Sequence, residues 1–376
     1  MIKRLSWLAF AAIGSLPALS RADPLLSFGP DVPLFITAAA SIRRDDNVDL
    51  VPQNKTADTI YIFAPGTDLH YSGGKSSAGL TLGEQFIRYA SDSHLNDNLA
   101  DAVGNFSYKG SESSMSLAAS YAQTDQSTLS STNTNQTLKQ SLSNASFNGE
   151  LGIAPKTSLG VGATFSRTAY PEASFSDSDG WSFPVDLYYA VTPKVDLSMG
   201  YNHGQTTIAN NPDDDSKTNF FNIGARGDFT PKLSGQIRVG ETELKPEKGP
   251  TSSQLGLGAS LDYLFSPKTS FDLSANNGFS NSAVGTNQEL LTLSSSGHFE
   301  LSQAWALTTG LSYSSTKYLT VPERIDRFWV GNVGINYTLT TVTAFQLEYL
   351  YRKNDSTLAA ADFNDNILTF SASSRF

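Results

Sequence analysis

Ala154-Pro155-Lys156, Thr192-Pro193-Lys194, Thr230-Pro231-Lys232 and Ser266-Pro267-Lys268 repeat one short turn through the middle of this chain. The prolines stand 38, 38 and 36 residues apart, and each interval holds two alternating segments joined by a longer polar loop. Proline cannot donate to a sheet ladder, so a Pro-Lys pair between two such segments ends one strand and launches the next. Between Lys194 and Asn202, Val195, Leu197, Met199 and Tyr201 alternate with Asp196, Ser198, Gly200 and Asn202. Leu255 to Phe265 and Leu159 to Phe165 alternate in the same way, with Gly160, Gly162, Gly256 and Gly258 on their polar faces, where they thin one wall or relieve curvature. A period of two kept up over such lengths means long strands with one apolar and one polar face.

Working outward, similar segments lie near 34–43, 58–70, 76–90, 97–108, 113–121 and 145–153, then 156–167, 180–191, 194–206, 217–229, 232–244, 253–265 and 268–279. Five more follow at 288–301, 304–316, 326–339, 343–353 and 364–376. The total is about 18 strands, with 16 as the alternative, since single-chain bacterial barrels have even numbers. The runs from 58 to 108 alternate less cleanly than the rest. The fold class expected is all-β: a transmembrane, antiparallel, up-and-down β-barrel over residues 34–376.

Composition and the N-terminus fit that reading. Charged residues make up 16% of the chain, against roughly 25% in soluble domains. Lys3 and Arg4 precede an apolar run from Leu5 to Leu19, and Ser20-Arg21-Ala22 offers small residues for cleavage. Residues 1–22 read as a secretory signal peptide, and 23–33 as a short periplasmic extension. Without Lys3, Arg4 and Arg21, 23 basic residues face 36 acidic ones, and no basic stripe exists for nucleic acid. There is no cysteine, hence no disulfide framework and no thiolate metal site. After residue 22 no run of about 18 apolar residues occurs, and the remaining way to cross a bilayer is a closed barrel.

Two groups of aromatics mark the ends of the apolar faces. Tyr189, Phe229, Phe265, Phe271, Phe299, Trp305, Tyr337 and Phe345 lie near the short turns, and Trp181, Phe183, Tyr201, Phe221, Phe279, Tyr313 and Trp329 toward the loops. They read as girdles at two membrane interfaces. Leu197, Val239, Leu257, Leu273, Leu293, Leu311, Val333 and Leu347 are expected to face lipid. The last strand puts Leu368, Phe370, Ala372 and Phe376 on one face, and Phe370 with the terminal Phe376 resembles the signal by which outer-membrane barrels are recognised for assembly.

The segment Phe345 to Phe376, with Tyr349-Leu350-Tyr351-Arg352-Lys353-Asn354-Asp355-Ser356 and Asp362-Phe363-Asn364-Asp365-Asn366, resembles the end of the putative beta-barrel porins of the second type. The resemblance implies a bacterial outer-membrane location and supplies no catalytic residues. Some members of that family accompany exopolysaccharide export. The partners expected are outer-membrane lipid, the barrel-assembly machinery and, on the export reading, periplasmic polysaccharide-export proteins; oligomeric state is open.

Four histidines are the side chains suited to act as a base near neutral pH. His298 shares a polar face with Ser294, Ser296 and Glu300, but strand neighbours two apart have no forced triad geometry. His298 and His203 read as lumen-wall residues, and His70 and His94 fall at or near loops. Asp213-Asp214-Asp215 lacks the spacing of a calcium loop and reads as a solvated loop tip. No enzyme and no cofactor are expected; an outer-membrane hydrolase using His298 is the third and weakest reading. The first is a channel for passive diffusion of small hydrophilic solutes, and the second a conduit for exopolysaccharide. Glu150, Asp186, Asp196, Asp228, Asp262, Asp272, Glu300 and Glu348 are expected to line the pore with Arg226, Arg238 and Arg352. Carboxylates near one mouth would give a weak cation preference.

Overall fold

The computed structural model describes residues 24–29, 31–127, 137–320 and 323–376. The first strand, β1 (Leu26–Ser27), is two residues long. It precedes β2 (Pro33–Asp45), β3 (Asp58–Gly73), β4 (Ser76–Tyr89), β5 (Asp97–Lys109), β6 (Ser113–Ser127), β7 (Thr137–Ala154), β8 (Thr157–Ala169), β9 (Ser178–Thr192) and β10 (Val195–Ile208). Then come β11 (Ser216–Thr230), β12 (Leu233–Pro246), β13 (Ser252–Ser266), β14 (Thr269–Asn281), β15 (Asn287–Glu300), β16 (Trp305–Tyr318), β17 (Arg324–Thr338), β18 (Thr343–Ser356) and β19 (Phe363–Arg375). From β2 onward each strand pairs antiparallel with the next, and β19 pairs with β2, so eighteen strands close into one barrel. The larger of the two expected strand numbers is the one found. The expected signal peptide lies outside the described residues.

The repeated turn works through its hydroxyl residue as well as its proline. Thr192 Oγ1 accepts hydrogen bonds from Lys194 N at 3.2 Å and Val195 N at 3.0 Å, and Thr230 Oγ1 does the same for Lys232 N and Leu233 N. Ser302 and Thr340 repeat the pattern in turns without Pro-Lys. A side-chain acceptor held over the next two N–H groups satisfies donors that a tight hairpin would otherwise leave open. Register shifts beside all four Pro-Lys turns, as between Asp228 and Thr230, add the twist that hairpin ends need. The β3–β4 turn instead uses Gly74 at φ 45°.

The apolar faces point outward. Ile223 of β11, 61% exposed, stands between Met199 and Val239 on the neighbouring strands. Leu197, Leu273, Leu293, Leu311, Val333 and Leu347 are likewise exposed, and Leu257, half-buried, is opposed to Val239. Aromatic pairs stud the outer wall at both ends. Trp305–Tyr337 (4.6 Å) and Phe271–Phe299 (5.6 Å) lie at the turn end, and Tyr313–Trp329 (4.4 Å) and Tyr201–Phe221 (4.7 Å) at the loop end.

Candidate functional site: the barrel lumen

Period-two alternation fixes which side chains enter the lumen, because every neighbour of a lipid-facing residue points inward. On β7 to β12 this brings together Glu150, Asp186, Tyr188, Asp196, Arg226 and Arg238. Arg226 forks onto Glu150 through both terminal nitrogens (2.8 and 2.6 Å) and sends Nε to Asp196 Oδ2 at 3.0 Å. Its guanidinium carbon lies 3.4 Å from the centre of the Tyr188 ring. Arg238 donates to Asp186 Oδ2 and to the Tyr188 hydroxyl, both at 3.0 Å. These contacts reach over intervening strands, and inward glycines give them room. A Cβ on Gly160 would come within 2.8 Å of the Tyr188 ring, and one on Gly200 would collide with Asp186.

A second set lies along the closing seam. Arg352 of β18 donates through Nε to Asp365 of β19 at 2.7 Å and stands 3.8 Å from Asp45 of β2. Arg43 lies among Arg352, Asp45 and Glu348, and Asn332 Nδ2 holds Glu348 at 2.9 Å. At the turn end of the same seam, Arg375 binds Asp68 at 3.0 Å and covers the Phe35 ring at 3.8 Å.

A third stretch of wall is different. Asp228, Ser234, Asp262, Asp272 and Ser296 are successive cross-strand neighbours from β11 to β15, all on the inner face near the short turns. Ser296 Oγ donates to Asp272 at 3.2 Å. No arginine or lysine forms an ion pair with Asp228, Asp262 or Glu300 among the described residues, whereas Arg226, Arg238, Arg324, Arg352 and Arg375 each have a carboxylate partner.

The loop end is narrowed by apolar packing. Val48, in the loop after β2, is buried against the inward-facing Ile60, Ile87 and Leu99. From the other side, the 170–177 and 282–286 loops meet across the mouth. Ser176 N donates to Ala283 O at 2.8 Å, and Phe175 and Ala283 are buried with Leu138 of β7. Asn211 Nδ2 reaches Gly285 O at 3.2 Å and adds the 209–215 loop. Apolar packing therefore narrows the loop mouth, while charged side chains line both ends, Arg352 with Asp365 and Asp45 toward the loops and Arg226 with Glu150 and Asp196 toward the turns.

Of the residues expected to line the pore, Glu150, Asp186, Asp196, Arg226 and Arg238 form one cluster. Glu348 and Arg352 belong to the seam, and Asp228, Asp262, Asp272 and Glu300 to the third stretch of wall, where Asp228, Asp262 and Glu300 have no arginine or lysine ion pair among the described residues. Tyr188, Asp68, Arg375, Asp45 and Asp365 were missed, although Tyr188 alternates in phase with Asp186 and could have been found. His298 faces the lumen between Ser270 and Thr308. His203 needs correction: it shares the outer face with Tyr201, and its Nδ1 is 3.0 Å from Asn219 Oδ1. His70 lies near the turn that ends β3, as expected, and points inward onto Asp68 at 2.9 Å.

Residues 34–376 match the family described as Putative beta-barrel porin 2. No curated protein is a sequence match. Among solved structures, Pseudomonas aeruginosa OpdK, crystallised with vanillate, is similar at a TM-score of 0.50 and 10% identity, over 91% of this chain and 99% of that one. Acinetobacter baumannii OccAB4 is similar at a TM-score of 0.48 and 12% identity, over 96% and 100%. Identities this low bear on fold alone, and OpdK carries that likeness.

Proposed function

This chain belongs to the Putative beta-barrel porin 2 family, a porin-type barrel of the bacterial outer membrane, and we propose that it passes small hydrophilic solutes by diffusion with a weak preference for cations. With the short turns on the periplasmic side, the Asp228–Asp262–Asp272 row and Glu300 stand at the periplasmic mouth. That row, whose Asp228 and Asp262 have no arginine or lysine ion pair among the described residues, is the observation that carries the preference. A carboxylate already paired with arginine presents little net field, but carboxylates without cationic partners on a low-dielectric wall concentrate cations. The Glu150–Arg226 and Asp186–Arg238 pairs keep the effect weak.

The alternative, a conduit for exopolysaccharide, draws support from the uncharged row Gln236, Ser260, Ser274, Ser294 and Ser312. Such a wall offers hydroxyl partners to a sugar chain without holding it by charge. Reversal potentials across a salt gradient in planar bilayers test the first reading. Cation preference that falls in Asp228→Asn/Asp262→Asn/Asp272→Asn supports it. Anion preference, or no change in the triple variant, rejects it.

A further inference from the structure

Asp45 at the end of β2, Asp46 of the loop that follows and Asp365 of β19 meet at the loop end of the closing seam, each with a carboxylate oxygen within 4.8 Å of the others. Acidic groups often gather without an ion, and what sets this one apart is Asp365. Its side chain is 0% exposed, and its Oδ1 meets no hydrogen-bond donor among the described residues. Buried acceptors are rarely left bare, and a carboxylate oxygen beside two other carboxylates needs a positive partner most of all. The neighbouring cations do not fill that place. Arg352 binds the other oxygen, Oδ2, and stands 3.8 Å from Asp45. Arg43 lies close by but forms no ion pair among the described residues, and Lys55 turns its ammonium to Asn364 Oδ1.

The 46–57 loop grips β19 on both sides of this residue. Asn47, itself 0% exposed, donates through Nδ2 to Asn364 O at 2.9 Å, and Asp46 accepts from Asn366 N and Nδ2 at 2.8 and 2.6 Å. Asp365 stands between the two anchors. Calcium takes six to eight oxygens at about 2.3–2.6 Å, so oxygens gathered within about 5 Å of one another fit around one such ion. No histidine or cysteine joins the group, and an all-oxygen donor set suits calcium rather than zinc. Asp46, only part-buried, leaves a way in from the loop side. We propose that Asp45, Asp46 and Asp365 bind one calcium ion, with water completing its shell, and that the ion fastens the 46–57 loop to β19. Val48 of that loop is buried against Ile60, Ile87 and Leu99, so calcium also steadies the apolar packing that narrows the mouth.

The test uses the folded barrel in detergent at pH 7, stripped with EDTA and titrated calorimetrically with calcium chloride and, separately, magnesium chloride. Wild type should take up one tightly held calcium ion and bind magnesium more weakly, because magnesium demands a smaller, near-octahedral shell. Asp46→Asn should weaken calcium binding by about tenfold, since affinity follows the number of charged ligands, and Asp365→Asn should abolish it. Asp213→Asn, which removes a loop carboxylate paired to Lys248 at 2.8 Å, should change nothing. Calcium should also slow hydrogen exchange of the 46–57 amides in wild type and not in Asp365→Asn. Should Asp365→Asn lose the heat-modifiable gel shift of a folded barrel, the tenfold loss in Asp46→Asn decides. No calcium uptake by wild type, tighter binding of magnesium than of calcium, or undiminished calcium affinity in the folded variants would each overturn the proposal.

Discussion

Phe376 and Ile36 exchange both of their backbone hydrogen bonds, Ile36 N to Phe376 O at 2.8 Å and Phe376 N to Ile36 O at 2.9 Å. Phe376 therefore extends the ladder between β19 and β2 to the turn end of the barrel. β1 takes up the edge of β2 just beyond, with Leu26 opposite Leu34. Unpaired strand edges are not tolerated in lipid. Deleting Phe376 should lower the yield of heat-modifiable, folded protein, whereas Lys248→Ala, at an exposed loop, should leave it unchanged. Semi-native electrophoresis of refolded protein reads both.

Ile223 stands midway along β11 on the lipid-facing side. Ile223→Arg should destabilise the barrel by about 2–4 kcal/mol, as basic residues do at a bilayer midplane. Folding titrations into lipid vesicles measure this. A cost near zero would mean that this face is not in lipid.

Phe175 joins the 170–177 loop to Ala283 and Leu138 across the loop mouth. Truncation in Phe175→Ala removes the apolar contact while leaving the Ser176–Ala283 backbone bond. Single-channel conductance should rise, and uptake of larger solutes should rise more than that of small ones. An unchanged conductance would place the limiting constriction elsewhere.

Asp46 begins the 46–57 loop. Burial works against its charge, but hydrogen bonds from Asn366 N (2.8 Å) and Asn366 Nδ2 (2.6 Å) outweigh it and hold the carboxyl below the usual carboxylate range. A depressed folded-state value means that this anchor is fully present above the unfolded pKa of about 4 and is lost as pH falls through the lower, folded one. Hydrogen exchange of the 46–57 amides should therefore accelerate only below about pH 4, and Asp46→Asn should remove that pH dependence.

The strands most legible in the sequence are those whose inner face is uniformly polar, such as β10 and β13. β3 to β5 blurred because Ile60 and Ile62 point inward beside the outward Tyr61 and Phe63, so both faces read as apolar. The reason is tertiary: Val48 folds over Ile60, Ile87 and Leu99 and makes an apolar inner wall favourable. The charge clusters were half legible. Alternation gives the face of Glu150 and Arg226, but which carboxylate an arginine meets depends on how sharply the wall curves between β7 and β12. His203 was misplaced because a histidine suits a lumen in general, although its phase with Tyr201 already pointed outward.

The hydroxyl-capped turns have an evolutionary consequence. Each caps its own hairpin through Thr192, Thr230, Ser302 or Thr340, and its ties to the next turn, such as Asp228 N to Lys194 O at 2.9 Å and Leu264 N to Lys232 O at 2.7 Å, run through backbone groups that any residue supplies. A gene encoding such a chain can gain or lose a whole hairpin of roughly 38 residues by one in-frame duplication or deletion, and the remaining hairpins keep their registers. Circumference is then an inherited variable, and relatives of this protein can differ in bore by two strands at a step while sharing the same turn chemistry.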